Sequence, residues 1–148
     1  MKRHSSKGFT LIELLIVVAI IGIIAAIAIP NLLNAIDRGK QKRTMADMRS
    51  VGTAVESYAV DTSKYPIATN AQTLATILQA GAYIKNMPQV DGWQNALQVT
   101  STAIDYTISS MGKDGNIDNC NPGTTNNFNE DICFVNGQFS KYPSGQQQ

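Results

Sequence analysis

Residues 14–29 form an apolar run without a charge or a side-chain amide, and a single carboxylate, Glu13, stands at its edge. A helix of about 20 apolar residues is long enough to cross the hydrocarbon core of a bilayer, so residues 9–30 read as a membrane-spanning segment. Glu13 is the anomaly. An ionised carboxylate in a membrane costs roughly 2.5–3.5 kcal/mol on insertion scales, so it calls for a cationic partner. An ordinary secretory signal ending at Ala26-Ile27-Ala28 has a shorter apolar stretch and no use for the carboxylate. A plain anchor gives no reason for Glu13 to stand five residues after Gly8, at the end of a leader that holds Lys2, Arg3 and Lys7.

The segment Gly8-Phe9-Thr10-Leu11-Ile12-Glu13 resembles the processing site of type IV pilins and pseudopilins. The resemblance implies that a prepilin peptidase cuts between Gly8 and Phe9 and that the new amine of Phe9 is methylated. It also implies that this amine pairs with Glu13 of a neighbouring subunit once the filament forms. The basic leader holds the N-terminus on the cytoplasmic side of a bacterial inner membrane by the positive-inside rule. The head is then periplasmic, and later part of a periplasmic or extracellular filament. The implied partners are further copies of the chain, the peptidase, an inner-membrane assembly platform with minor pseudopilins, and lipid before assembly. In pilins, the stretch matching Gly22 to Pro30 loses helicity in the filament.

The chain of 148 residues has one domain's worth of sequence, part of it taken by the anchor. Loss of residues 1–8 leaves nine basic against eleven acidic residues, which moves the formal charge from +1 to −2. No field for nucleic acid follows, and no direct nucleic-acid binding is expected. Arg38, Lys40, Lys42 and Arg43 lie just beyond the apolar run and read as a solvated helix face or a lipid-headgroup contact. His4 is the only histidine and belongs to the leader. The mature chain therefore lacks Ser-His and Cys-His nucleophilic pairs, HExxH sites and histidine zinc ligands. No carboxylate pair is set in a hydrolase-like arrangement, and the chain reads as a non-enzyme.

Helical patterning runs from Phe9 to about Asp61, with Gly22 and Pro30 as weak points. Proline removes one backbone hydrogen bond and crowds the carbonyl four residues earlier, which predicts a bend or local unwinding before Pro30. Met45, Met48, Val51, Val55 and Tyr58 recur at spacings of three and four and form a stripe suited to a core, with Arg43, Asp47, Arg49 and Glu56 largely off it. Such a helix is near 80 Å long at about 1.5 Å per residue. Lys64-Tyr65-Pro66 closes it. Asn70 caps a second helix over Ala71–Ala80 that stops at Gly81. Ala96–Val99 is a weak strand. Ile104, Tyr106 and Ile108 alternate with polar residues as a half-buried strand does. Residues 132–135 and 138–139 flank Asn136-Gly137 as a hairpin. The tail from Ser144 to Gln148 reads as frayed.

Cys120 and Cys133 are the only cysteines and lie in the part that an N-in anchor places outside the cytoplasm. An oxidising compartment favours a disulfide between them, free thiols or a metal pair being the alternatives. Closing a loop of about 15 residues stabilises by about 3 kcal/mol in the chain-entropy model.

Residues 112–131 are rich in Gly, Asn and Asp. Asp114, Asn116 and Asp118 place oxygen side chains at alternate positions, as a loop around calcium does, and Asn119, Asn129, Glu130 and Asp131 can complete a shell of six to eight oxygens. It is no EF-hand, since Asn119 and Thr125 occupy the glycine and closing-glutamate positions. A solvated turn-rich loop fits the spacing equally well. The stretch Asp105 to Gly115, with its Gly112-Lys113-Asp114-Gly115 turn, is similar to the major pseudopilins of type II secretion systems, and so are residues 46–49, Tyr65-Pro66 and Asp91-Gly92-Trp93-Gln94-Asn95. In that family the following loop holds calcium, and Asp114 and Asp131 carry over by motif. Gly92 and Gln94 depart from the family's proline and glycine, and a cysteine pair enclosing a C-terminal loop is reminiscent of type IV pilins.

The expected fold is α+β and pilin-like, a long N-terminal helix packed on a small antiparallel sheet. Its expected parts are a leader (1–8), a membrane and filament-core helix (9–30), an amphipathic helix (31–62) and a head (63–148) with its calcium and disulfide loop at 112–133. The expected function is that of a filament subunit, the major pseudopilin of a type II secretion system. The alternatives are a type IV pilin for adhesion, motility or DNA uptake, and a membrane-anchored periplasmic binding module.

Overall fold

The computed structural model describes residues 8–145, so the leader's Lys2, Arg3, His4 and Lys7 and the tail's Gln146 to Gln148 lie outside the described residues. Helix α1 spans Leu11–Thr62 and α2 spans Ala71–Ala80. The strands are β1 (Gln98–Ser101), β2 (Tyr106–Ser110), β3 (Gly123–Thr125), β4 (Ile132–Val135) and β5 (Gln138–Pro143). The chain divides into two compact units that part between Ile36 and Asp37.

In the first unit, the large apolar side chains from Leu11 to Ile36 are exposed, and the helix is long and apolar enough to cross a membrane. The unwinding expected before Pro30 does not occur, since helix runs without a break through Gly22 and Pro30. A proline removes one donor and crowds one carbonyl, a local defect that the helical turns on both sides bridge here. The Asn31 amide adds a bond to the Ile27 carbonyl at 3.0 Å.

The second unit has its core where α1 meets the sheet and α2. Met45, Met48, Val51 and Val55 are buried, as their spacing predicts, together with Leu74 and Leu78 of α2 and Tyr106, Ile108, Ile132, Phe134 and Phe139 of the sheet. The same helical stripe continues toward the N-terminus through polar residues, Thr44, Gln41 and Asp37, all buried. Glu56 is half-buried and accepts hydrogen bonds from the Tyr106 hydroxyl at 3.0 Å and the Tyr65 hydroxyl at 3.3 Å. Burial, followed by the Glu56 carboxylate, pushes the Tyr106 phenol well above its ordinary range. Gly52 lets the Phe134 ring lie on the helix, because a Cβ there would stand 2.2 Å from the ring.

Helix α1 ends one turn before Pro66. Ser63 takes a left-handed φ of 60°, and its N–H bonds to the Ala59 carbonyl at 2.8 Å. Asn70 caps α2 by accepting from the Thr73 N–H at 2.8 Å. Gly81 does stop this helix, but at φ −83°, while the left-handed residue is Ala82 at 59°. Glycine is required at 81 for space, since a Cβ would lie 2.3 Å from the Tyr83 ring.

The sheet order is β1-β2-β4-β5-β3, antiparallel except for the β3–β5 edge pair. The expected small antiparallel sheet on a long helix is found, with one parallel edge pair added by β3, a strand within the 112–131 segment that was expected as loop. Three residues, Gly-Thr-Thr, carry no alternation of their own, and β3 is defined by the partner it finds at the edge. Ile104 is no strand residue. It is 85 % exposed in the β1–β2 turn, which Thr102 closes by donating its N–H to the Asp105 carbonyl at 2.8 Å. The β4–β5 hairpin turns at Asn136 and Gly137 with φ of 47° and 86°, as a two-residue turn of this type demands. Ser144 is tied to the Thr125 carbonyl through its N–H at 2.8 Å, so the tail is ordered at least to that residue.

Candidate functional site

The start of α1 has a built N-terminus. Gly8 and Phe9 precede the helix and are exposed, which leaves the bond between them accessible. Thr10 Oγ1 and the Thr10 N–H both donate to Glu13 Oε2, at 2.7 and 2.8 Å, and the Glu13 N–H returns a bond to Thr10 Oγ1 at 3.3 Å. This reciprocal arrangement is a capping box, which satisfies donors that the first turn would otherwise leave open. Among the described residues no cation pairs with Glu13. The Thr-x-x-Glu spacing carries the signal for this second role of the glutamate.

In the second unit, the segment from Asp91 to Asn95 locks the 112–131 loop to the helix. Asp91 is buried, and its carboxylate accepts from the Trp93 and Asn95 N–H groups, both at 2.9 Å, and from Ser110 Oγ at 2.7 Å. The Asn95 amide donates to the Gly112 carbonyl at 2.7 Å. Gly92 donates its N–H to Thr44 Oγ1 at 2.8 Å, and a Cβ there would meet the Lys40 carbonyl oxygen at 2.5 Å. The Trp93 indole N–H and the Lys113 ammonium both donate to Asp37 of α1, at 3.0 and 2.8 Å. Burial pushes the Asp37 carboxyl up, but the bonds from Lys113 and Trp93 and the charges of Lys113 and Lys40 outweigh it and hold the group below its ordinary range. No spacing rule connects Asp37 with Trp93, so the sequence carried no signal for this contact.

The Gly112 to Gly115 turn needs its glycines, which have φ of 64° and 70°. A Cβ at Gly112 would lie 2.4 Å from the Asn129 carbonyl oxygen. Of the residues expected to bind calcium, Asp114 and Asn116 face each other, with Asn116 donating its N–H and its amide to the Asp114 carboxylate, both at 3.1 Å. Asp118 donates its N–H to Asp131 Oδ2 at 3.0 Å. Glu130 pairs with Lys141 at 3.1 Å, and the Asn119 carbonyl accepts from the same ammonium at 3.3 Å. The Asn129 N–H bonds to Asn127 Oδ1 at 3.1 Å. Among the described residues no three acidic, histidine or cysteine side chains are gathered closely enough to hold a metal by themselves.

One carboxylate oxygen of the loop stands apart from the rest. Asp131 is 1 % exposed, and its Oδ1 is buried without a hydrogen-bond partner. Burial, and then the negative charges of Asp118 and Asp114, push this carboxyl above its ordinary range. A carboxylate oxygen that lacks a donor and feels two further carboxylates suits a hard cation, with loop carbonyls to complete the oxygen shell. Cys120 and Cys133 form a disulfide with Cα atoms 5.7 Å apart, which closes the loop onto β4.

The family model for the prokaryotic N-terminal methylation motif matches residues 3–29, and that for the type II secretion system protein G matches residues 31–133. The type II secretion system core protein G of Klebsiella michiganensis is 33 % identical over 119 residues, covering 80 % of this chain and 83 % of the relative. The protein of the same name from Pseudomonas aeruginosa is 31 % identical over 136 residues, covering 80 % and 94 %. The type IV major fimbrial protein FimA of Dichelobacter nodosus is 42 % identical over 117 residues, covering 75 % of each. No solved structure gives a significant match. With a methylation motif at its N-terminus and a secretion-system head behind it, the chain belongs to the type II secretion system protein G family.

Proposed function

We propose that the mature chain is the repeating structural subunit of a helical filament assembled from the inner membrane, the major pseudopilin of a type II protein secretion apparatus. The observation that carries this is the first unit, a helix whose large apolar side chains stand exposed from Leu11 to Ile36, with one carboxylate in its first turn. Such a surface needs lipid or other helices around it. Lipid covers it in the membrane pool, and neighbouring subunits cover it in the filament.

Cleavage between Gly8 and Phe9 creates an amine beside the positive end of the α1 dipole, a position where a cation is disfavoured. Pairing with the Glu13 carboxylate of a neighbour relieves this and removes the uncompensated charge from the apolar filament core. The subunit thus works by addition, and a growing filament pushes folded substrates outward across the periplasm. Prepilin peptidase, the assembly platform and minor pseudopilins are its partners, and the head lies on the periplasmic side. Gly22 and Pro30, continuous helix in the single chain, are the places where the stalk lengthens in the filament. A cell-based assay of Glu13→Ala tests the charge pair: filaments are expected to disappear, and normal assembly would refute the step.

The 112–133 loop is proposed to hold calcium, with Asp131 as the central donor and Asp114, Asn116 and Asp118 around it. The bound ion would supply the positive charge that the Asp131 carboxylate lacks. Calcium titration of the purified chain, followed by melting temperature with and without chelator, tests this. A large rise that is lost in Asp131→Ala is expected, and no shift would refute it.

The second reading, a type IV pilin building an extracellular fibre, is favoured by the Cys120–Cys133 disulfide and by the likeness to a fimbrial protein. Deletion of the gene separates the two. Loss of secretion supports the pseudopilin, and loss of surface fibres with secretion intact supports the pilin.

A further inference from the structure

The disulfide and the cation-seeking carboxylate belong to one ladder. Asp131 immediately precedes β4 and Cys133 is the strand's second residue, a two-residue spacing that in extended chain points both side chains to the same side, and both are buried. Asp118 and Cys120 are two residues apart on the opposing loop segment. The Asp118 N–H bonds to Asp131 Oδ2 at 3.0 Å, and the Cys120 sulfur bonds to Cys133 two residues further along in both segments. The covalent rung therefore fixes the spacing of the rung that holds Asp131.

Apart from that rung, little pins residues 117–121. They lie outside regular secondary structure, and Asp118 and Asn119 are exposed. Their other ties are Ser140 Oγ donating to the Cys120 carbonyl at 3.1 Å and the Lys141 ammonium reaching the Asn119 carbonyl at 3.3 Å. Polar contacts at an exposed loop are individually weak. Without the disulfide the segment gains freedom, and the Asp118 N–H bond to Asp131 Oδ2 is left as the contact that holds it there. Asp131 itself stays buried, because β4 pairs with β2 and β5 on either side.

We propose that the Cys120–Cys133 disulfide tethers the Asp118 segment beside Asp131, so that calcium affinity depends on the oxidation state of this pair. The proposal rests on the calcium reading of the loop and adds its regulation. Subunits with free thiols then have a weak site, and oxidation outside the cytoplasm switches it on. By linkage the coupling is reciprocal, so bound calcium makes the disulfide harder to reduce by the same factor.

The test uses the full-length mature chain in detergent and measures calcium binding by calorimetry before and after reduction with a dithiol. In that step the Sγ–Sγ bond breaks and two thiols form, and the dithiol gives up two electrons and two protons and closes to its cyclic disulfide. The oxidised chain is expected to bind calcium at least tenfold more tightly than the reduced chain, with far-UV circular dichroism verifying that the reduced head stays folded. The reciprocal measurement needs no reduced fold at calcium saturation: the dithiol concentration that half-reduces the chain is expected to rise at least tenfold with saturating calcium. Equal affinities, with an unshifted reduction midpoint, would overturn the proposal and leave the calcium reading intact. Absence of binding by the oxidised chain would refute the calcium reading and the proposal with it. The pair Cys120→Ala/Cys133→Ala is expected to match the reduced chain, and tight binding by that variant would also overturn the coupling.

Discussion

The indole N–H of Trp93 donates to Asp37 Oδ1 at 3.0 Å and joins residues 56 positions apart. Lys113 completes the contact on the other carboxylate oxygen at 2.8 Å. One buried acid thereby ties the 91–95 segment and the 112–115 turn to the beginning of the second unit's helix. Asp37→Ala leaves the indole N–H without its acceptor, and a loss of about 1–3 kcal/mol is expected in chemical denaturation. The exposed Lys113 side of the pair contributes little to that figure.

The same contact has a defined pH dependence. The folded-state pKa of Asp37 is lowered, so its stabilisation is fully present above the unfolded value, about 3.9, and is lost as pH falls through the lower folded value. The stability difference between the parent and Asp37→Asn is therefore expected to be constant at neutral pH and to shrink only below about pH 4. A difference that already changes between pH 6 and 8 would assign the effect to another group.

Asp131 behaves in the opposite sense. Its folded-state pKa is raised, by burial first and then by Asp118 and Asp114, so without calcium the charged group destabilises the fold above that pKa, and the cost is relieved as pH falls through it. In chelator at neutral pH, Asp131→Asn is expected to be more stable than the parent by about 1 kcal/mol, with the advantage fading in acid. With calcium the order reverses. Melting curves at two pH values, each with and without calcium, check all three expectations.

Two neighbouring residues of the 91–95 segment predict opposite responses. Gln94 sits at φ 74°, a conformation that disfavours side chains, so Gln94→Gly is expected to stabilise by about 0.5–1 kcal/mol. Gly92 lies against the Lys40 carbonyl, and Gly92→Ala is expected to cost about 1–3 kcal/mol through overpacking. Denaturation midpoints of the two variants that moved in the same direction would contradict this packing.

The Thr10–Glu13 capping box is checked by hydrogen exchange in detergent micelles. Thr10→Val removes the hydroxyl, and the amides of the first turn of α1 are expected to exchange several-fold faster, whereas Thr10→Ser keeps their protection. Unchanged exchange in Thr10→Val would show that the cap does not hold this end.

Local chemistry was legible in the sequence. The apolar run, the Met45 to Val55 stripe, the Asn70 cap, the Asn136-Gly137 turn and the motif around Gly8 each rest on residues within a few positions of one another. Backbone and periodicity rules act at that range. The T-x-x-E signal at Thr10 is equally local. Ile104 shows the limit of such rules, since its alternation with Tyr106 and Ile108 looks like strand, yet the β1–β2 turn leaves it in solvent.

The sequence by itself determined a membrane-length apolar helix with a processing motif, a helical stripe for a core, and the turns that link its strands. Only the tertiary structure decided that Asp37 is buried beneath Trp93, that β3 adds a parallel edge to β5, and that Asp131 is left with an unpaired oxygen beside a disulfide. The reason is range. Turns and helix caps are set by neighbours along the chain, whereas the burial of a carboxylate and the pairing of a three-residue edge strand depend on partners that only folding brings close.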